Sequence, residues 1–507
     1  MAARLSRRRF LQSAAAGGAA LGLGELGFLA GLPPVNAADA KPEPGRVRLR
    51  DEIEPLVKLI EDSPRSRLLE EIAGRIRSGT SYKDVLAALL LAGVCNVRPR
   101  PNVGLKFHAV LVVNSAHLAS LASPDHERWL PLFWALDNFK SAQAQNKKES
   151  GWRLPPVADD KVPSARKARK AFAEAMDRWD EEAADAAVVG LARSAGAQEV
   201  FELFCRYGAR DFRDIGHKAI FVANSWRTLQ TVGWQHAEPV LRSLAYALLK
   251  TDGTNPSTAE LEPDRPGRTN KELAAKLRDD WQDGKASREA TADLLAVLRK
   301  ADAADAPDKV VELVNAGASP QAVWDALFLG AGELLLRKPG IVALHAVTTT
   351  NALHYAFQNT GNDETRRWLM LQNAAFLTMF RDALGGRIGD SHIDSLEPLE
   401  TEKPSREAVT EMFADVSKDR LTAARKALGY VADGGDPKAL MDAARLLVFF
   451  KGNDSHDYKF SSALLEDYEH VSPPWRNRFL AAGMMNFKGS GAKDIPLVER
   501  TRAALNG

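Results

Sequence analysis

The chain has 507 residues, 45% of them hydrophobic, with 68 Lys and Arg against 66 Asp and Glu for a formal charge of +2. That length supplies enough apolar surface for a sizeable core without staples, and so even a balance gives no electrostatic footprint for nucleic acid or an anionic membrane. The two cysteines, Cys95 and Cys205, exclude a cysteine-rich zinc module or a Cys-x-x-Cys-His haem attachment; a bridge between them and two buried thiols are both compatible with their apolar surroundings.

The first element in chain order is a leader. Arg7 and Arg8, with Arg9, precede Phe10 and Leu11, the pattern that the twin-arginine translocase reads. A weakly apolar stretch over 14–32, interrupted by Glu25, is too short and too soft for a stable membrane span. Small residues then offer cleavage after Ala37 or Ala40. The expectation is a signal peptide over 1–40 and export to the periplasm or outside, with a retained anchor as the alternative. Four arginines and one glutamate precede Ala37, so the remainder carries a charge near −1.

Beyond the leader, apolar residues recur three and four apart, while alternating β-branched runs are scarce. The expected fold class is all-α. Pro- and Gly-rich stretches over 146–163, 251–269 and 385–404 divide the chain into helical blocks at 41–146, 164–251, 270–384 and 404–507. An internal repeat links the first three. Residues 107–117 align with 344–354, pairing His108 with His345, Asn114 with Asn351 and His117 with His354. A third copy runs from His217 through Asn224 to Arg227. With the asparagines in register, the counterparts of His217 are Phe107 and Leu344. Three imperfect repeats predict helical hairpins in a compact array, followed by a C-terminal helical block.

The repeats carry the candidate chemistry. On a helix turning about 100° per residue, His217, Asn224 and Arg227 share one face. His108 and His117 point to opposite sides, as do His345 and His354, so one metal cannot take both members of either pair. One reading brings these helices around a polar pocket: His217 and His345 as acid/base groups or metal ligands, Asn224 and Asn351 as orienting groups, Arg227 as an anion or carbonyl contact, with Asn114, His117 and His354 binding substrate. The other has the same Asn and His residues holding helical hairpins together through backbone carbonyls.

Two further segments are dense in ionisable groups. In 451–460, His456, Asp457 and Lys459 suit substrate binding or proton transfer, and Asn453 or Asp454 suits a helix cap. In 389–394, His392 between Asp390 and Asp394 is a third metal candidate beside His217 and His345. No Gly-rich phosphate loop, Gly-x-Ser-x-Gly elbow or His-Glu-x-x-His helix is present.

The run 217–229, followed by 244–248, resembles one motif of the questin oxidase-like proteins, and 344–353 resembles a second; the likeness covers roughly residues 195–380. The resemblance implies a helical oxidoreductase with histidines lining its pocket, in a family linked to oxygenative opening of an anthraquinone ring with reduced nicotinamide as electron source. This chain departs from the pattern at Asn224, where the first motif would carry a second histidine. An exported protein also lacks a supply of reduced nicotinamide, so a metal or redox cofactor loaded before export is the expectation. The functional expectation is an exported oxidoreductase acting on a small organic substrate, aromatic compounds included. The alternative is a non-catalytic helical repeat scaffold that binds a protein or a component of the cell envelope.

Overall fold

A computed structural model describes residues 49–99, 105–249, 254–400 and 404–506. The twin-arginine leader and its cleavage window lie outside the described residues. Among those described, the regular structure is helical and no strand forms; one isolated bridge pairs Lys285 with Ala318. The all-α class holds. No helix among them is long and apolar enough to cross a membrane.

The N-terminal part comprises α1 (Glu54–Asp62), α2 (Leu68–Arg77), α3 (Tyr82–Asn96), the single turn α4 (His108–Leu111), α5 (Val113–Ala122) and α6 (Leu130–Glu149). There follow α7 (Ala165–Arg178), α8 (Glu181–Ser194), α9 (Ala197–Gly208), α10 (His217–Val232) and α11 (Ala237–Leu248). The third part holds α12 (Arg265–Ala274), α13 (Arg288–Leu298), α14 (Asp305–Asn315), α15 (Pro320–Arg337), α16 (Ile341–Asn359) and α17 (Asp363–Ala383). The last comprises α18 (Arg406–Val416), α19 (Arg420–Ala432), α20 (Pro437–Lys451), α21 (Ser455–Asp467), α22 (Pro473–Gly483) and α23 (Pro496–Asn506).

Local chemistry accounts for many of the helix starts. Ser81, Ser287, Ser319 and Ser405 each accept a hydrogen bond from a backbone N–H in the first turn of the helix that follows, satisfying a donor that has no partner within the helix. Outer helices are amphipathic. In α7 the buried side chains are Ala168, Phe172, Ala175 and Met176, one stripe at helical spacing. Inner helices are buried all round: α3 continuously from Val85 to Asn96, and α10 from His217 to Leu229, polar residues included.

Four segments form the centre: α10, α16, α21 and the consecutive pair α4 and α5. α10 packs on α16, α16 on α21, α21 on α4 and α5, and α4 and α5 on α10, closing a ring. Each segment carries a histidine near its N-terminal end: His108 opens α4, His217 opens α10, His345 is the fifth residue of α16 and His456 the second of α21. The first and last parts of the described region are tied together as well. The Arg77 guanidinium donates to the Ala504 carbonyl at 2.8 Å, laying α23 against α2. Residues 49–507 form one compact unit.

Candidate metal centre

The ring of segments brings His108, His217, His345 and His456 together, with one nitrogen of each imidazole within 4.8 Å of those of the others. Ring centroids follow the helix order: His108 to His217 4.8 Å, His217 to His345 4.4 Å, His345 to His456 5.1 Å and His456 to His108 4.3 Å. His108 and His345 face each other across the ring at 6.5 Å. The first three histidines are buried and His456 is part-exposed, with 19% of its side chain accessible.

Hydrogen bonds at the outer nitrogens determine what the inner ones present. His217 Nδ1 lies 2.6 Å from the Asp214 carbonyl, and His345 Nδ1 lies 2.6 Å from the Ile341 carbonyl. A carbonyl only accepts, so each Nδ1 carries the proton and each Nε2 is left with a lone pair. His456 Nδ1 lies 2.6 Å from Asp454 Oδ1, a carboxylate that orients the ring in the same way. Yet His217 Nε2 sits 3.0 Å from His345 Nε2 and 3.0 Å from His108 Nε2. Two lone pairs at that distance repel unless a proton or a cation lies between them.

A proton is disfavoured. Burial pushes His217 down to about 3, and the neighbouring Lys459 ammonium adds to the effect. His345 is held well below the ordinary imidazole value by burial, then by His217 and Lys459. A metal ion resolves the conflict, because neutral imidazoles are its ligands and four nitrogens at about 2.0–2.1 Å stand ~3.3 Å apart in a tetrahedral site. All-imidazole ligation suits zinc, copper, iron or nickel rather than magnesium or calcium. The four residues fit a metal.

The segment leading into α10 is built for this purpose. Asp214 (φ 60°), Ile215 (φ 44°) and Gly216 (φ 79°) are three consecutive residues in the left-handed region. A non-glycine residue there costs on the order of 1–3 kcal/mol and persists only when its surroundings hold it. Here buried ion pairs do so. Lys218 Nζ meets Asp211 Oδ1 at 2.6 Å, and Arg213 Nε meets Asp264 Oδ1 at 2.7 Å. The turn aims the Asp214 carbonyl back at His217.

On the far side of α21, Asp454 caps the helix and shares a reciprocal capping box with Asp457. The hydrogen bond from His456 holds the Asp454 carboxyl down at about 2, so it stays ionised beside the centre. Asp454 therefore combines the helix cap and the histidine partner that the sequence presented as separate readings of 451–460.

Directly C-terminal to the histidines, the same helix faces enclose a small polar cavity. Its wall includes Asn114, Asn224, Asn351, Arg227, Lys459 and Glu466, and the space open to a water-sized molecule is ≈ 10 Å³, about one water. The asparagines cross-link the ring. Asn224 Nδ2 donates to the Leu111 carbonyl at 3.0 Å, and Asn351 Nδ2 donates to Glu466 Oε2 at 2.7 Å and Asp467 Oδ1 at 2.8 Å. Arg227 donates to Asn224 Oδ1 at 3.2 Å and to Glu466 Oε2 at 2.6 Å, with its guanidinium 4.0 Å from the Tyr355 ring centroid. Lys459 differs: its Nζ is buried and has no hydrogen-bond partner among the described residues. Burial pushes the amine down to about 7.

The structure thus draws His217, His345 and His456 into one cluster and places Asn114, Asn224, Asn351, Arg227 and Lys459 in the adjoining wall. Other residues singled out in the sequence lie elsewhere. His117 faces Tyr82, with Nδ1 3.2 Å from the phenol oxygen, and His354 is wedged among Trp324, Phe328 and His470. Asp457 pairs with Lys488 at 3.0 Å. His392 is exposed and outside the four-histidine group; the loop that holds it is tied down by Asp394, which receives Arg299 Nη2 at 2.7 Å. Cys95 and Cys205 are two buried free thiols.

His108 is the member of the cluster that the sequence reading passed over. Aligning the asparagines set Phe107 and Leu344 opposite His217, but the structure puts His108 and His345 there instead. Phe107 packs on Phe221 at 4.8 Å between ring centroids. His108 and His345 each precede their asparagine by six residues and His217 by seven, and the strained turn at 214–216 together with the short helix α4 absorbs the difference. The His108–His345 pairing within the repeat was the available signal.

No protein-family model, curated protein or solved structure matches this chain.

Proposed function

We propose that this protein is an exported metal-dependent oxidoreductase, questin oxidase-like, acting on a small organic substrate at a centre held by His108, His217, His345 and His456. The observation that carries the reading is the facing pair of Nε2 lone pairs on His217 and His345, 3.0 Å apart and buried. A redox-active ion such as copper or iron would supply electron transfer at the centre when bound. The chain's residues do the rest. Asp214, Ile341 and Asp454 hold three imidazoles in the ligating tautomer. Burial keeps bulk water from the centre, and Lys459 sits where it can hold or release a proton beside it.

Export is supported by the paired Arg7 and Arg8 and the soft apolar stretch behind them. The twin-arginine route carries folded proteins, so a centre this buried would be filled before translocation.

The test is metal analysis and electron paramagnetic resonance on protein recovered from its own export route, with oxygen consumption measured across a panel of phenolic and quinonoid compounds. Stoichiometric copper or iron with substrate-dependent oxygen uptake supports the reading. A metal-free protein, inert with every compound, sinks it.

A further inference from the structure

Four imidazoles complete a tetrahedral shell and leave a substrate no place on the metal, whereas catalytic centres of this geometry keep three protein ligands and one exchangeable position. The four histidines are not held alike, and the differences single out one of them.

His108, His217 and His345 are buried and joined by the two 3.0 Å contacts that His217 Nε2 makes. His217 and His345 are tied at Nδ1 to main-chain carbonyls of their own segments, acceptors that cannot move without the backbone. His456 is tied instead to a side chain, the Asp454 carboxylate, which is itself 58% accessible. It is also the part-exposed member of the group.

Position along the helix adds freedom. His345 has a full turn of α16 before it, and a helical side chain is restricted by the residues three and four places back. His456 is the second residue of α21, and Asn453 and Asp454 before it are exposed. Its ring can rotate toward solvent without meeting a preceding turn of its own helix.

We infer that His456 is the exchangeable ligand of the centre: it swings out over the N-terminus of α21 and yields its coordination position to the substrate, while His108, His217 and His345 keep the metal. The inference rests on the metal-centre reading and deepens it. As His456 Nε2 withdraws its lone pair, a donor atom of the incoming ligand supplies another, so the number of ligands and the electron count are unchanged. The space vacated is that of one five-membered ring, whereas the ≈ 10 Å³ cavity among the asparagines admits about one water. A ring-bearing substrate therefore coordinates from the α21 side and not through that cavity.

Imidazole, the leaving ring without its chain, is the probe. Full-length protein is loaded with copper, metal content is measured, and isotopically labelled imidazole is titrated while pulsed electron paramagnetic resonance detects the labelled nitrogen at the copper. Wild type should bind imidazole saturably and keep one copper per chain. Asp454→Asn should bind it about tenfold more tightly, because the leaving histidine has lost its partner. Added imidazole should restore copper to His456→Gly and not to His217→Gly or His345→Gly, whose positions are buried. Copper-loaded wild type that takes up no imidazole, or loses its copper to it, overturns the exchange and leaves the metal centre standing. Unchanged imidazole affinity in Asp454→Asn, or equal rescue of the three glycine variants, does the same. Failure of wild type to bind copper, zinc or iron overturns both readings.

Discussion

His217 Nε2 and His345 Nε2 lie 3.0 Å apart, each with its Nδ1 proton committed to a backbone carbonyl of its own segment. Neither nitrogen can donate to the other, so the contact favours association with a cation. Alanine at His108, His217, His345 or His456 should leave less than one metal per chain after desalting, as measured by mass spectrometry. His117→Ala and His392→Ala serve as controls and should retain the full complement, because neither side chain belongs to the cluster. Equal metal content in all six variants would remove the assignment.

The carboxylate of Asp454 has two roles, as the cap of α21 and as the partner of His456. Asparagine caps a helix as well as aspartate does but carries no charge. Asp454→Asn should therefore keep its melting temperature within about 2 °C of wild type, a shift below ~1 kcal/mol. Its metal affinity should fall by about 10–100-fold, the usual effect of losing a partner that orients a histidine ligand. Competition with a chelator measures the affinity.

Gly216 tests the strained turn. A Cβ there would stand 2.9 Å from Thr349 Cβ, at φ +79°. Gly216→Ala is expected to lose about 1–3 kcal/mol in denaturant unfolding, and to bind metal more weakly because the turn aims His217. An alanine variant as stable as wild type would mean that the turn relaxes freely.

Glu466 and Asp467 are adjacent but differ in surroundings: Glu466 meets the Arg227 guanidinium, and Asp467 is fully buried. Burial raises Asp467 well above the usual carboxylate range and so favours its uncharged form; Asp467→Asn should stay within about 1 kcal/mol of wild type in stability. Glu466→Gln strips the partner from the buried Arg227 guanidinium, at 2.6 Å, and should cost about 1–3 kcal/mol. Urea unfolding at pH 7 separates the two.

Lys459 makes stability depend on pH in a defined sense. Its pKa is lowered from the ordinary lysine value to about 7 in the folded chain. Between pH 7 and about 10.4 the unfolded chain binds the extra proton, so this group's contribution to stability rises with pH across that window and is at its lowest below pH 7. In metal-free protein, Lys459→Met should melt higher than wild type at pH 6, and the gap should narrow as the pH approaches 10. A gap independent of pH would show that the amine titrates normally.

Much of the site was legible in outline. Helical spacing put His217, Asn224 and Arg227 on one face, and Asn224 and Arg227 line the cavity while His217 stands one layer above it. The same spacing set His108 and His117 on opposite sides of the helix, and His108 alone of the two lies in the histidine cluster. His392 was misleading because acidic residues around a loop histidine look alike whether they face a metal or, as with Asp394, a neighbouring arginine.

Periodicity and the dearth of strand patterns determined that this chain is all-α, since amphipathic spacing is a local property recorded within a dozen residues. The convergence of four histidines was decided only by tertiary packing. His217 reaches His108 across 109 positions and His345 across 128. Helical period assigns a side chain to a face but not to the helix that the face meets. The left-handed turn at 214–216 left no sign of its own, because aspartate and isoleucine adopt it only under the constraint of the packed neighbours around them.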